Sequence, residues 1–135
     1  MLKKVSTVSR YLLGLVFFLS GVTGLFNLVP TPPDLPPDLV TFMSGMMVSK
    51  YFFPLVKGTE MVCGLFLLIG VAPALMLLIL APVTLNILLV HAFLTPGLGN
   101  LVVPIVILLL HALASVNYWR FYRPLLSSFR NAEGP

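Results

Sequence analysis

Between Pro54 and Gly70 the chain reads PLVKGTEMVCGLFLLIG, a run long and apolar enough to cross a bilayer with two charges set inside it. Lys57 and Glu60 are three residues apart, so on a helix they are neighbours on one face. A charge at the centre of a membrane helix costs about 2.5 to 3.5 kcal/mol on insertion scales. Two unpaired charges therefore cost about 5 to 7 kcal/mol. A chain that keeps both must let them neutralise each other or turn them toward a protein interior where they have something to bind.

Composition widens this constraint to the whole molecule. Of 135 residues, 59% are hydrophobic and 9% charged. A soluble domain carries about 25% charged residues, and one domain of this size cannot hide so much apolar surface. The excess must face lipid, so the chain reads as a single integral membrane domain over 1–135. The net charge of +4 is no nucleic-acid signal, because the basic residues gather at the chain ends rather than in a patch interleaved with aromatics. The lone cysteine, Cys63, allows neither an intrachain disulfide nor a CxxC redox pair.

Four spans are expected. The first covers about Ser9 to Val29; its apolar core is longer than that of a secretion signal and no A-x-A site follows it, so it reads as a retained helix. Gly14, Ser20, Gly21 and Gly24 on this span read as close-packing positions. A proline-rich stretch follows. Asp38 then reads as the N-cap of a short helix over about 38–48, with Leu39, Phe42, Met43, Met46 and Met47 at helical spacing. That segment is too short to span and is expected to lie at the interface or cap the bundle. The second span runs over about 51–70, the third over 73–94 with Pro82 expected to kink it, and the fourth over 101–122. The expected fold is all-α: an antiparallel four-helix membrane bundle with one interfacial helix between the first and second spans. Lys3, Lys4, Arg10, Arg120, Arg123 and Arg130 share one end, so the positive-inside rule places both termini in the cytoplasm. Tyr118, Trp119 and Tyr122 read as an interfacial belt at that end.

A rise of about 1.5 Å per residue sets depths. Measured from the outer surface, Lys57 and Glu60 lie roughly 9 and 13 Å down, Asn86 roughly 12 Å, and His111 roughly 15 Å. His91 lies nearer the mouth, roughly 4 to 5 Å down. Lys57, Glu60, Asn86 and His111 are thus expected in one layer with His91 above them, and these five are the candidate ligand-binding residues. Asn86 and His91 are about 140° apart around a regular helix, so the Pro82 kink would have to bring both to one site. Two readings of the layer stand side by side: a polar cluster that holds four helices in register, and the polar floor of a cavity. A metal site is not expected, because no short-range ligand motif such as HExxH occurs. Axial haem ligation does not suit two histidines at unequal depth. Neither a phosphate loop nor a serine elbow is present, which leaves catalytic residues and cofactors unassigned.

Four motifs in order resemble the DoxX family of small four-helix membrane proteins. They are Arg10-x-x-x-Gly14-x-x-Phe17-x-x-Ser20-Gly21, Glu60-x-x-x-Gly64-x-x-x-x-x-Gly70, Asn86-Ile87-x-x-x-His91, and Arg123-Pro124-Leu125-Leu126. The likeness covers about residues 9 to 126. Members often carry a basic residue shortly after the Ser-Gly of the first helix, where this chain has Gly24; the resemblance implies that Lys57 supplies that charge from the second helix. The family is tied to terminal-oxidase and thiosulfate:quinone oxidation complexes and to oxidative-stress assemblies, and similar eukaryotic folds look like receptor-assembly factors or cargo receptors. The expected function is therefore binding of an apolar molecule with a polar head, a quinone or lipid, in the polar-floored cavity, as a subunit of a membrane redox or stress complex. The alternative is a non-catalytic assembly partner of another membrane protein or of a second copy. An enzyme acting alone is the third reading, and the sequence offers it no nucleophile–base pair.

Overall fold

The computed structural model describes residues 1–131, with side chains through residue 127; the last four residues and the Arg130 side chain lie outside the description. Among the described residues every regular element is helical: α1 (Leu2–Leu25), α2 (Pro37–Val48), α3 (Phe52–Ile69), α4 (Pro73–Leu94), α5 (Val102–Ser115) and α6 (Trp119–Asn131). Four stretches are long and apolar enough to cross a membrane: Leu2–Leu25, Phe52–Ile69, Pro73–Leu94 and Leu98–Ser127.

Three boundaries differ from the sequence reading. α1 begins before Ser9 and stops short of Val29. Its added first turns matter because Ser6 is buried and donates to the Ala114 carbonyl at 2.9 Å, tying the start of α1 to the end of α5. Asp38 is not the cap of α2: Pro36 holds that position and Pro37 opens the helix. Proline at the first helical position sacrifices no bond and arrives with helical φ, so the boundary moves one residue earlier and Asp38 falls in the first turn. The fourth span is interrupted by a 3-10 turn at Val116–Tyr118 before α6. Ser115 Oγ donates to the His111 carbonyl at 2.9 Å just before this turn, a back-bond of the kind that bends helices.

α1 and α3 make the closest pairing. Gly14 meets Gly64, Ser20 meets Glu60, and Gly24 lies against Lys57, so positions descend on α3 as they rise on α1. A Cβ on Gly64 would run into the Phe18 backbone nitrogen and sit 2.8 Å from the Gly14 carbonyl. The two backbones can touch only because the positions are bare, which is how membrane helices gain packing energy without a hydrophobic driving force. Arg10, buried at 8% exposure, donates from Nη1 to the Leu67 carbonyl at 2.8 Å, in the last turn of α3. A cation there satisfies an orphan carbonyl and complements the helix dipole. The α3–α4 turn closes on Gly70, whose φ of 78° suits glycine. The apolar core includes Leu13, Phe17, Leu67, Leu77, Leu80 and Ala114.

Candidate functional site

Three helices enclose a cavity of about 520 Å³. This is within the range of about 300 to 1,000 Å³ usual for small-molecule sites. α2 supplies Leu39, Phe42, Met43 and Met46. They follow the i, i+3, i+4, i+7 spacing of one helical face, and they are the partly buried apolar residues of a helix with no buried residue. Met47, expected on the same face, is 51% exposed instead. A sharp connection swings α2 onto α3: Ser49 Oγ donates to the Met46 carbonyl at 2.6 Å and accepts the Phe52 amide at 3.1 Å, with Lys50 at a φ of 63° between them.

α3 lays Lys57 and Glu60 along the floor. Lys57 Nζ lies 2.9 Å from Glu60 Oε2 and donates to Ser20 Oγ at 3.1 Å. Ser20 Oγ in turn donates to the same Oε2 at 2.7 Å. Each member thus touches the other two, and the triangle joins α1 to α3. The glutamate side chain is 3% exposed and the lysine side chain 21%. Both hydrogen bonds of the carboxylate fall on Oε2, and no fully buried side-chain oxygen or nitrogen lacks a partner among the described residues. Oε1 is therefore open to the cavity that Glu60 lines. The stem of Lys57 lies over Gly24, where an added Cβ would come within 2.6 Å of Cδ.

α4 forms the facing wall with Pro82, Val83, Asn86, Ile87, Val90 and His91. The helix continues through Pro82, although proline offers no N–H to the carbonyl one turn back. Asn86 and His91 both line the cavity despite their angular separation. His91 Nδ1 lies 2.8 Å from the Ile87 carbonyl. A carbonyl only accepts, so Nδ1 carries hydrogen and donates to it. Asn86 is exposed and makes no side-chain hydrogen bond among the described residues.

His111 goes elsewhere. It is buried between α4 and α5, with Nδ1 2.9 Å from Thr84 Oγ1, and is not part of the cavity lining. Thr84 and Asn86 are two residues apart on α4, about 200° around the helix, so one meets α5 and the other the cavity. Of the five residues the sequence singled out, the structure brings together Lys57, Glu60, Asn86 and His91. It adds Ser20, which the sequence presented as a packing position; a hydroxyl among glycines at the depth of Glu60 was the available signal.

Spans of this length and hydropathy, enclosing a cavity with an ion pair at its floor, define an all-helical multi-pass membrane protein. Within that class the DoxX family model matches residues 5–92, and the chain belongs to the DoxX family. The match covers the Lys57–Glu60 pair, Asn86 and His91, and leaves out the fourth span. None of the curated proteins and none of the solved structures compared matches the chain.

Proposed function

We propose that the protein binds an apolar small molecule with a polar head, a quinone or a lipid, in the cavity between α2, α3 and α4. The observation that carries this reading is the pairing of shape and chemistry there: an apolar wall of Leu, Phe, Met and Val above a floor where Glu60 leaves one oxygen open. The residues proposed to meet the head are Lys57, Glu60, Asn86 and His91, with Ser20 bracing the pair; His111 serves helix packing. In this proposal the single domain is an antiparallel four-helix bundle with α2 at the outer interface and both termini cytoplasmic. Descending contact order and the basic residues at the α1 and α6 end support that arrangement.

The test is mass spectrometry of what co-extracts with the protein in mild detergent, for the parent and for Val90→Trp, which places an indole on the cavity wall. One amphiphile near equimolar amount in the parent and absent from Val90→Trp is the expected result. Equal, trace amounts of mixed lipid in both would refute the reading.

A second reading rests on the Ser20–Lys57–Glu60 triangle. It is closed on itself and joins α1 to α3, which is what a non-catalytic assembly partner of a membrane complex needs from a polar layer. An unoccupied cavity together with a stable partner favours that role.

A further inference from the structure

We infer that the head of the cavity's occupant is uncharged and carries a hydroxyl. The inference rests on the binding reading above and specifies the chemistry of its ligand.

Charge is the first argument. Lys57 and Glu60 are the only oppositely charged groups among the lining residues, and they are spent on each other at 2.9 Å. A phosphate or a quaternary amine seated there would face no free counter-charge at membrane depth, where an unpaired charge is costly. An uncharged head leaves the pair intact.

The remaining hydrogen-bonding atoms supply the second argument. Glu60 Oε1 has no protein partner among the described residues, although the residue is only 2% exposed. A carboxylate oxygen accepts and does not donate. His91 is committed at Nδ1 to the Ile87 carbonyl, which leaves Nε2 without a protein partner among the described residues. A head with carbonyls alone would leave the Glu60 oxygen without a donor. A hydroxyl donates to it and accepts from the Asn86 amide or from the third N–H of Lys57, whose other two go to Glu60 and Ser20. Quinols and diacylglycerols share this chemistry: a neutral hydroxylated head on an apolar body.

Native mass spectrometry of the protein in nonionic detergent under nitrogen, titrated with four probes, tests the inference. The probes are a decyl-substituted benzoquinol, its dimethyl ether, dioctanoylglycerol and dioctanoyl phosphatidic acid. At least one hydroxylated neutral probe is expected to bind about tenfold or more tightly than both the ether and the phosphatidic acid, the effect of one or two net hydrogen bonds. Whether the quinol or the glyceride leads identifies the source. Asn86→Leu is expected to weaken the leading probe about tenfold while leaving the thermal midpoint unchanged. Equal binding of quinol and ether overturns the hydroxyl and leaves the cavity reading standing, provided Val90→Trp abolishes both. Phosphatidic acid binding tightest overturns the neutrality argument. Failure of all four probes removes the cavity reading and this inference together.

Discussion

Removing the two members of the floor pair one at a time is expected to give unequal losses, and the inequality follows from the geometry. Lys57→Met leaves the Glu60 carboxylate, 3% exposed, with only the Ser20 hydroxyl as a partner. Stranding a buried charge costs about 3 to 5 kcal/mol. Glu60→Gln strands an ammonium whose side chain is 21% exposed toward the cavity, still bonded to Ser20 and able to donate to the new amide oxygen. That loss is nearer the cost of one charged hydrogen bond, about 1.5 to 3 kcal/mol. Replacing both, Lys57→Met with Glu60→Gln, removes the reason for either penalty, because a buried pair replaced by neutral groups of similar volume is often close to neutral. The double variant is expected within about 1 kcal/mol of the parent, so by these figures the coupling is about 3.5 to 8 kcal/mol.

Equilibrium unfolding of the four proteins in mixed detergent micelles measures all of this, with occupancy of any co-extracted amphiphile followed on each. Recovered stability with lost occupancy assigns the pair to the ligand. Recovered stability with retained function assigns it to packing. A Glu60→Gln variant as stable as the parent, or a double variant whose loss equals the sum of the singles, would refute the pairing argument.

Three further outcomes are expected. Gly21→Leu drives a side chain into the α3 backbone at Met61 and Lys57 and is expected to cost about 3 kcal/mol or more through overpacking; Gly24→Ala meets only the flexible Lys57 stem and is expected to lower the thermal midpoint far less. Thr84→Val removes the partner of His111 Nδ1 and is expected to destabilise by about 1 to 3 kcal/mol with no change in amphiphile occupancy, because the bond lies outside the cavity. Cysteines at Lys3 and Ser127 are expected to resist an impermeant thiol reagent in intact cells while a cysteine at the exposed Ser44 reacts; the reverse pattern would invert the topology. Ser6 cannot serve as the reporter, since its burial against Ala114 shields it on either side.

Level along each helix can be counted from the sequence; direction cannot. Counting residues from the span ends placed Lys57, Glu60, Asn86 and His111 at similar levels, because a helix rises by a fixed amount per residue. Which way each points cannot be counted in the same manner. In water, a helix declares its buried face by contrast with its polar one. In a bilayer the lipid-facing and core-facing sides are both apolar, and α4, with leucine, isoleucine and valine all round, gives no such contrast. Thr84 and Asn86 were therefore indistinguishable as cavity residues, and His111 was drawn into the site by depth alone. α2 was the opposite case. It lies on α3 and α4 by one face only, and its helical spacing marks Leu39, Phe42, Met43, Met46 and Met47, of which the first four line the cavity and Met47 does not.

The pairing of Gly24 with Lys57 joins the sequence comparison to the site chemistry. The resemblance set Gly24 apart as a position where a basic residue is common, and implied that Lys57 takes over its charge. In the structure the Lys57 stem occupies the space a Gly24 side chain would fill, and its ammonium reaches Ser20, one turn earlier on α1. A cation rooted on α1 and a cation rooted on α3 can thus deliver charge to the same point beside Glu60. Rooting it on α3 has a consequence that α1 could not offer. Lys57 and Glu60 then move as one body, three residues apart on a single helix, so a shift between α1 and α3 stretches only the Ser20 bonds. The ion pair is thus held within α3 alone, and α1 contributes only the Ser20 bonds to it.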